Sequence, residues 1–259
     1  MLIPADGAFP NGYTAVTDIN GKHSEMLMDF GILRLGKGES FTDSARAAGG
    51  ERAYLLIRGK AEFRWGESSA VAERSSLQHE MPAVLHLPAG VHAEVTGLSE
   101  DAELSVHSTP NAKSFEPRML FGNDIKKVIL GSGKVEEETK RELRIAADDD
   151  TAPFSEMVFG EVVNFPGKWS SYPPHHHPHP EIYHYRFEPE NGFGYAEEGG
   201  QVYRVVQGDT LLVRPNLVHP QTAAPGYAMV YIWMMPHLRG NRFGKDTRQF
   251  EPEHKWVME

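Results

Sequence analysis

The stretch Pro173-Pro-His-His-His-Pro-His-Pro-Glu-Ile-Tyr-His184 decides how this chain is interpreted, because it contains five of the 13 histidines. Side chains on a strand alternate between its two faces, so His175 and His177 share one face. The Pro-His-Pro that follows predicts a turn, since proline cannot donate to a sheet ladder, and we expect His179 within it to be exposed. Glu181 then begins a second strand beside the first. The spacing therefore predicts two imidazoles and one carboxylate at a single point.

A fourth ligand is available further along the chain. His219 follows Gly208-Asp209, a short apolar strand and a proline turn. Three histidines and one carboxylate leave coordination positions open on a divalent ion, which is typical of a catalytic rather than a structural site. The sequence does not distinguish Zn, Mn, Fe, Ni or Co. We predict one divalent ion per chain, bound by His175, His177, Glu181 and His219. The alternative is an exposed histidine-rich loop that binds metal adventitiously.

Short apolar runs rich in Val, Ile, Phe, Tyr and Trp recur along the whole chain and are separated by Gly, Pro or Asn. Such runs indicate many short strands joined by turns, as in a sandwich or barrel. The predicted strands include Ala53–Ile57, Val84–Leu87, Met157–Phe165, Val202–Val206, Thr210–Val213 and Met229–Met234. Few segments have a 3.6-residue apolar period, and we interpret Lys134–Ala147 as a linker that enters a strand. The prediction is an all-β fold.

A weak internal repeat divides the chain into halves. Glu51-Arg-Ala-Tyr54 in the first half corresponds to Glu181-Ile-Tyr183 in the second, and each half ends with a strand, a proline turn and a histidine, His92 or His219. Two tandem β-barrels explain this repeat. The first half lacks the other ligands, so we interpret His92 as a structural remnant.

The boundary between the two barrels is predicted from turn-forming residues. Gly and Asn cluster between Asn111 and Val135, which indicates a connection there. We therefore predict an N-terminal barrel without a complete metal site over residues 1–130 and a C-terminal metal-binding barrel over residues 131–259.

Composition excludes several classes of protein. The chain has 259 residues, 40% of them hydrophobic and 24% charged, which allows one large all-β domain or two of about 130 residues. Its formal net charge of -10 makes it a poor candidate for binding nucleic acid or an anionic membrane. The absence of cysteine excludes disulfides and thiolate sites. With no signal-peptide pattern and no long apolar run, we expect a soluble, cytoplasmic protein. We also expect a small sugar-acid substrate as its partner and a homo-oligomer.

Several further motifs narrow the prediction. The two metal motifs resemble those of cupins, and additional resemblance lies in Trp169–His175, Glu181–Phe187, Gly192–Tyr195, His219–Tyr227 and Phe250–Trp256. Together they resemble the 5-deoxy-glucuronate isomerase family of myo-inositol catabolism, which is related to the pectin-pathway uronate ketol-isomerase. The resemblance spans nearly the whole chain and is strongest from Gly167 onward. It implies a bicupin, that is, two tandem jelly-roll-like β-barrels with metal in the second.

The resemblance also implies a reaction. It is the metal-dependent aldose–ketose isomerisation of 5-deoxy-D-glucuronate to 2-deoxy-5-keto-D-gluconate, in which an enediol forms and the ion acts as a Lewis acid on two oxygens. Tyr183 and Tyr185 share the face of Glu181 by strand alternation, so we predict them, with Tyr231, as catalytic residues. The alternative is that these tyrosines are buried aromatics with satisfied hydroxyl groups.

A sugar-acid substrate also needs a cation for its carboxylate, and arginine fits that group best. We predict that Gln221, Arg239 and Arg242 bind the substrate. The alternative functions are another uronate ketol-isomerase, an iron-dependent cupin dioxygenase that would consume oxygen, and a non-catalytic sugar-binding or storage bicupin. The full ligand set argues against the last of these.

Overall fold

The structure is a computed structural model that describes residues 1–43 and 49–258, with only the backbone at Lys245. Strands form most of the regular structure in this part of the chain. The first ten strands are β1 (Leu2–Ile3), β2 (Gly12–Thr17), β3 (Asp29–Leu35), β4 (Ser40–Thr42), β5 (Glu51–Trp65), β6 (Ser68–Arg74), β7 (Val84–Leu87), β8 (Ala93–Gly97), β9 (Ala102–Thr109) and β10 (Arg118–Leu120). The remaining strands are β11 (Lys126–Leu130), β12 (Arg141–Ala147), β13 (Met157–Asn164), β14 (Trp169–Ser170), β15 (His175–His176), β16 (Glu181–Glu188), β17 (Phe193–Glu198), β18 (Gln201–Val206), β19 (Thr210–Val213), β20 (Gln221–Ala223), β21 (Ala228–Pro236) and β22 (Gln249–Phe250). Short 3₁₀ helices lie at Ser24–Met26, Gly122–Asp124, Val135–Glu137, Lys245–Thr247 and Pro252–Met258.

The described chain divides into two compact units that interleave in sequence. The N-terminal unit comprises Ala8–Ile125 and Ala146–Met157. The C-terminal unit comprises Met1–Gly7, Lys126–Ile145 and the described residues from Val158 onward. The domain boundary between residues 130 and 131 stays a prediction.

The N-terminal unit is organised around β5, the longest of its described strands. One sheet path has the order β10-β7-β5-β9-β3-β2, and the second half of β5 also pairs with β6 and β8, which in turn pairs with β4. The strand changes partners near Gly59, where φ is +77° and a Cβ would lie 2.6 Å from the Ser99 hydroxyl oxygen. Only glycine fits this close approach without strain. On either side of this glycine, β5 contributes Tyr54 and Phe63 to one hydrophobic core.

The C-terminal unit contains a sheet in the order β1-β19-β16-β21-β13-β12-β11 and a smaller one in the order β14-β20-β17-β18. Alternate residues of β16, Tyr183, Tyr185 and Phe187, pack in its hydrophobic core with Tyr231 and Trp233 of β21. Both faces of β16 are buried, which explains its nearly continuous run of large side chains.

Most predicted strands are confirmed, and the predicted all-β fold with them. The runs Val84–Leu87 and Thr210–Val213 are strands with the predicted bounds, and Lys134–Ala147 does enter a strand, at Arg141. Two strands, β10 and β11, lie between Asn111 and Val135, and the connection predicted there stays a prediction. Among the residues described, no helix is both long enough and apolar enough to cross a membrane.

Candidate metal centre

Three of the four predicted ligands lie together in the C-terminal unit. Glu181 is the first residue of β16 and pairs with Val213, the last residue of β19. Ligand atoms of His177, Glu181 and His219 all lie within 4.8 Å of one another, and all three side chains are buried. Oε2 of Glu181 lies 3.2 Å from Nε2 of His177 and 3.5 Å from Nε2 of His219. This His/Glu/His group has the composition and spacing to hold a metal ion.

The backbone fixes the orientation of the three candidate histidine ligands. In each ring Nδ1 donates to a main-chain carbonyl oxygen, which can only accept, so Nδ1 carries the proton. The acceptors are Pro173 for His175 (2.9 Å), His179 for His177 (3.0 Å) and Leu217 for His219 (2.8 Å). In the neutral ring this leaves a lone pair on each Nε2. Hydrogen bonds of this kind orient metal-binding imidazoles in many proteins.

The charge state of the group fits a divalent cation. Burial lowers the pKa of His219, and burial together with the neighbouring His219 lowers the pKa of His175 well below the ordinary value of 6.5. Nε2 of His219 is buried and has no hydrogen-bond partner among the residues described. An unsatisfied buried acceptor is unfavourable, and a metal ion beside Glu181 would satisfy it.

His175 lies beside the group of His177, Glu181 and His219 and is not part of it. Its ring centroid is 4.9 Å from that of His219, and its side chain lines the same cavity. The predicted pairing of the His-x-His strand with the strand of Glu181 is wrong, because β15 pairs with β22 of the C-terminal tail. His175 as a fourth ligand stays a prediction.

A cavity of about 100 Å³ opens beside these residues. One wall is apolar, with Leu130, Leu143, Val162, Trp233, Met235 and Phe243. The polar lining comprises Arg141, Ser171, His175, His177, Glu181, Tyr183, Tyr231 and Arg248. Sequence reasoning missed both arginines: Arg141 begins β12 and Arg248 immediately precedes β22.

The three predicted catalytic tyrosines are buried and hydrogen-bonded. The Tyr183 hydroxyl donates to Oε2 of Glu181 at 2.8 Å, and Tyr231 shares a 2.5 Å hydrogen bond with the Ser170 hydroxyl. Tyr185 donates to Oε1 of Gln221 at 2.7 Å, and neither residue of that pair is in the cavity lining. Burial raises the pKa of Tyr231 to about 12 and that of Tyr183 well above 10. At neutral pH the cavity tyrosines are therefore protonated and act as donors.

The structure places other sequence-predicted residues away from the cavity. Arg239 is exposed on the loop after β21, and neither it nor Arg242 is in the cavity lining. The expectation that His179 is exposed is wrong, since it is fully buried and its Nε2 lies 2.7 Å from the carbonyl oxygen of Asn241. His176 points away from the metal group and bonds Glu251 through Nδ1 at 2.8 Å.

Comparison with known proteins places this fold and site in a family. A model of the KduI/IolB family matches residues 1–257. The chain belongs to the KduI/IolB family. It is 28% identical over 252 residues to the 5-deoxy-glucuronate isomerase of Geobacillus kaustophilus (strain HTA426), covering 89% of this chain and 85% of that protein. It is 23% identical to the enzyme of the same name from Bacillus subtilis (strain 168), covering 99% of this chain and 97% of that one. The family predicted from the sequence motifs is confirmed.

Solved structures similar to this KduI/IolB family member agree on the fold. An IolB-like protein from Salmonella typhimurium LT2 aligns with a TM-score of 0.87 at 22% identity, covering 100% of this chain and 99% of that one. Oxalate decarboxylase of Bacillus subtilis aligns with a TM-score of 0.62 at 14% identity, covering 94% and 78%. Similarity at these identities shows the fold alone, and it confirms the predicted bicupin architecture.

Proposed function

We propose that this chain is a metal-dependent isomerase that converts 5-deoxy-D-glucuronate to 2-deoxy-5-keto-D-gluconate. Curated relatives with the name 5-deoxy-glucuronate isomerase align with this chain over most of their length. The observation that carries the proposal is the buried group of His177, Glu181 and His219 beside a cavity lined by protonated tyrosines. The predicted homo-oligomer and cytoplasmic location stay predictions.

His175, His177, Glu181 and His219 would hold one divalent ion. Manganese centres are named for the oxalate decarboxylase of the same fold, and the nitrogen and carboxylate donors here also suit other first-row metals. When bound, the ion supplies a Lewis acid for the negative charge that develops on the two reacting oxygens of the substrate, a contribution of roughly several kcal/mol.

The other polar residues of the cavity position the Glu181 carboxylate and provide protonated hydroxyl groups. The Tyr183 hydroxyl donates to one carboxylate oxygen of Glu181 and accepts a 3.2 Å hydrogen bond from the Ser171 hydroxyl. Tyr231 presents a protonated hydroxyl at the cavity wall, where it can donate to a substrate oxygen as charge develops there. The apolar wall that includes Trp233 and Phe243 limits water around the substrate.

The proposal is tested by anaerobic incubation of metal-loaded protein with 5-deoxy-D-glucuronate, followed by NMR of the product. We expect 2-deoxy-5-keto-D-gluconate without consumption of oxygen, and no product after the metal is removed. Turnover that requires iron and oxygen would support the dioxygenase alternative. Turnover only of a pectin-derived uronate would support another ketol-isomerase. Either outcome would contradict the proposal.

A further inference from the structure

The cavity beside the metal group contains two arginines that the reaction described so far does not use. Nε of Arg248 is buried and has no hydrogen-bond partner among the residues described. Arg141 donates from its terminal nitrogens to two backbone carbonyls, those of Thr139 at 2.8 Å and Tyr172 at 3.3 Å. Neither arginine forms an ion pair with a carboxylate in the described part of the chain. In the described part of the chain, Glu181 is the carboxylate whose charge acts on Arg248, and one carboxylate does not offset two guanidinium groups.

The charge balance of the cavity calls for an anion. Glu181 is the only carboxylate among the described lining residues, whereas Arg141 and Arg248 both line it. Burial lowers the pKa of Arg141, and the neighbouring Arg248 lowers it further, so the two cations repel one another. A divalent ion at the histidines adds more positive charge. An anionic ligand that lies against both arginines removes this repulsion.

We infer that Arg141 and Arg248 bind the carboxylate of the sugar-acid substrate in this cavity. This inference rests on the proposed function. A planar guanidinium matches a carboxylate through two parallel N–H···O bonds, and two such groups hold its orientation as well as its charge. The arginine pair would then select a uronate over a neutral sugar of the same size.

The fold positions the two arginines from the same segment that positions a candidate metal ligand. Arg141 donates to the carbonyl of Tyr172, while the next carbonyl along, that of Pro173, accepts from Nδ1 of His175. Arg248 immediately precedes β22, in which Phe250 pairs with His175. The metal group and the proposed carboxylate site are therefore linked through residues 172–175.

The experiment compares the acid with its neutral amide. Wild-type enzyme and the variant Arg248→Met are assayed with 5-deoxy-D-glucuronate and with its primary amide, which has the same size without the charge. We expect Arg248→Met to lower kcat/KM for the acid by about 10- to 100-fold, mainly through KM, because a charge-assisted hydrogen bond is lost. The value for the amide should stay within about threefold. Arg141→Met should act in the same direction.

Controls separate this inference from folding and from the proposed function. Arg204→Met removes an exposed arginine that lies 4.8 Å from the Phe193 ring centroid, and it should leave both substrates unaffected. Thermal unfolding checks that each variant folds. If Arg248→Met lowers kcat/KM equally for the acid and the amide, the inference is overturned while the isomerase proposal stands. The inference is also overturned if Arg239→Met or Arg242→Met, rather than Arg248→Met, abolishes the preference for the acid.

A binding measurement keeps the inference testable if the wild type has no isomerase activity. D-glucuronate and D-glucuronamide are titrated calorimetrically into metal-loaded wild type and Arg248→Met. Preference for the acid that is lost in the variant supports the carboxylate site even when the isomerase proposal fails. Equal binding of acid and amide by the wild type, or tighter binding of glucose 6-phosphate than of D-glucuronate, would overturn it.

Discussion

In each unit, a residue with an ionisable side chain pairs with the last residue of the neighbouring strand. In the N-terminal unit, Arg52 of β5 pairs with Leu87, the last residue of β7. In the C-terminal unit, Glu181 of β16 pairs with Val213, the last residue of β19. The two positions are equivalent within their own sheets, yet one has a cation and the other an anion.

The two places differ in what neutralises a buried carboxylate. In the N-terminal unit, Asp43 accepts from Nε of Arg52 at 2.8 Å and from the Tyr54 hydroxyl at 2.6 Å. In the C-terminal unit, Glu181 also accepts from a tyrosine, Tyr183, but its other neighbours are imidazole Nε2 atoms. In the N-terminal unit the cation beside the carboxylate is Arg52, a residue of the protein itself. In the C-terminal unit the imidazole nitrogens beside Glu181 are potential ligands for a metal ion. Equivalent positions thus hold a buried cation in one unit and a candidate metal ligand in the other.

The largest expected effect comes from removing metal ligands. The double variant His177→Ala/His219→Ala should lose nearly all bound metal and lower turnover by roughly 1,000-fold or more, since metal-ion stabilisation contributes several kcal/mol. Elemental analysis per chain and an isomerase assay measure the two effects. The control is His92→Ala, an exposed residue of the N-terminal unit. Stoichiometric metal in the double variant, or loss of metal in the control, would contradict the assignment of the metal site to the C-terminal unit.

The next effect is on stability in the N-terminal unit. Asp43→Asn leaves the fully buried Arg52 without its anion, and removal of one partner from a buried ion pair costs about 3–5 kcal/mol. Urea unfolding monitored by fluorescence measures this loss, and metal content should not change. The matched control is Glu73→Gln, which breaks an exposed 2.9 Å pair with Lys60 and should cost under about 1 kcal/mol. Equal costs for the two variants would show that Asp43 has no special role.

Much of the fold was predictable because its signals are local. Short apolar runs bounded by Gly or Pro, such as Thr210–Val213, correspond to strands with the predicted bounds. β11 was missed because Lys126 and Lys127 give it a polar start and it is only half-buried. The sequence repeat aligns Glu51 with Glu181. The strand pairing instead makes Arg52, one residue later, the counterpart of Glu181. Glu51 lies on the opposite face of β5, where Oε1 lies 2.6 Å from Nε2 of His86.

The site was predictable only where its residues are close in sequence. The spacing from His175 to Glu181 is visible in one stretch, and His219 follows a recognisable strand and turn. The two cavity arginines come from separate elements on either side of that stretch. Arg141 and Arg248 both have polar neighbours in sequence, so each reads as a surface cation until the ladder between β15 and β22 is known. The pairing of distant segments, rather than local composition, brings these arginines to the cavity.

The smallest expected effect concerns a histidine that needs no metal. His107 of β9 is fully buried in the N-terminal unit, and its Nε2 lies 3.0 Å from the Ser105 hydroxyl. Burial, with the nearby His86, lowers its pKa from 6.5 to about 3. Between these two values the unfolded chain binds one more proton at this residue than the folded chain does. Stability from His107 is therefore complete above about pH 6.5 and falls as the pH decreases, by about 1.4 kcal/mol per pH unit.

The comparison of wild type with His107→Gln isolates this contribution, because the titrating groups that are not coupled to His107 cancel in the difference. Glutamine keeps a polar group near Ser105 but does not titrate. The variant should be less stable at pH 7, and the gap should narrow by about 2 kcal/mol at pH 5, as measured by urea unfolding at each pH. The narrowing should be the same with metal bound and after chelation, since His107 lies in the unit that supplies its own cation. A gap that is constant with pH would mean that His107 titrates normally, and dependence on chelation would show that the two units do not respond independently.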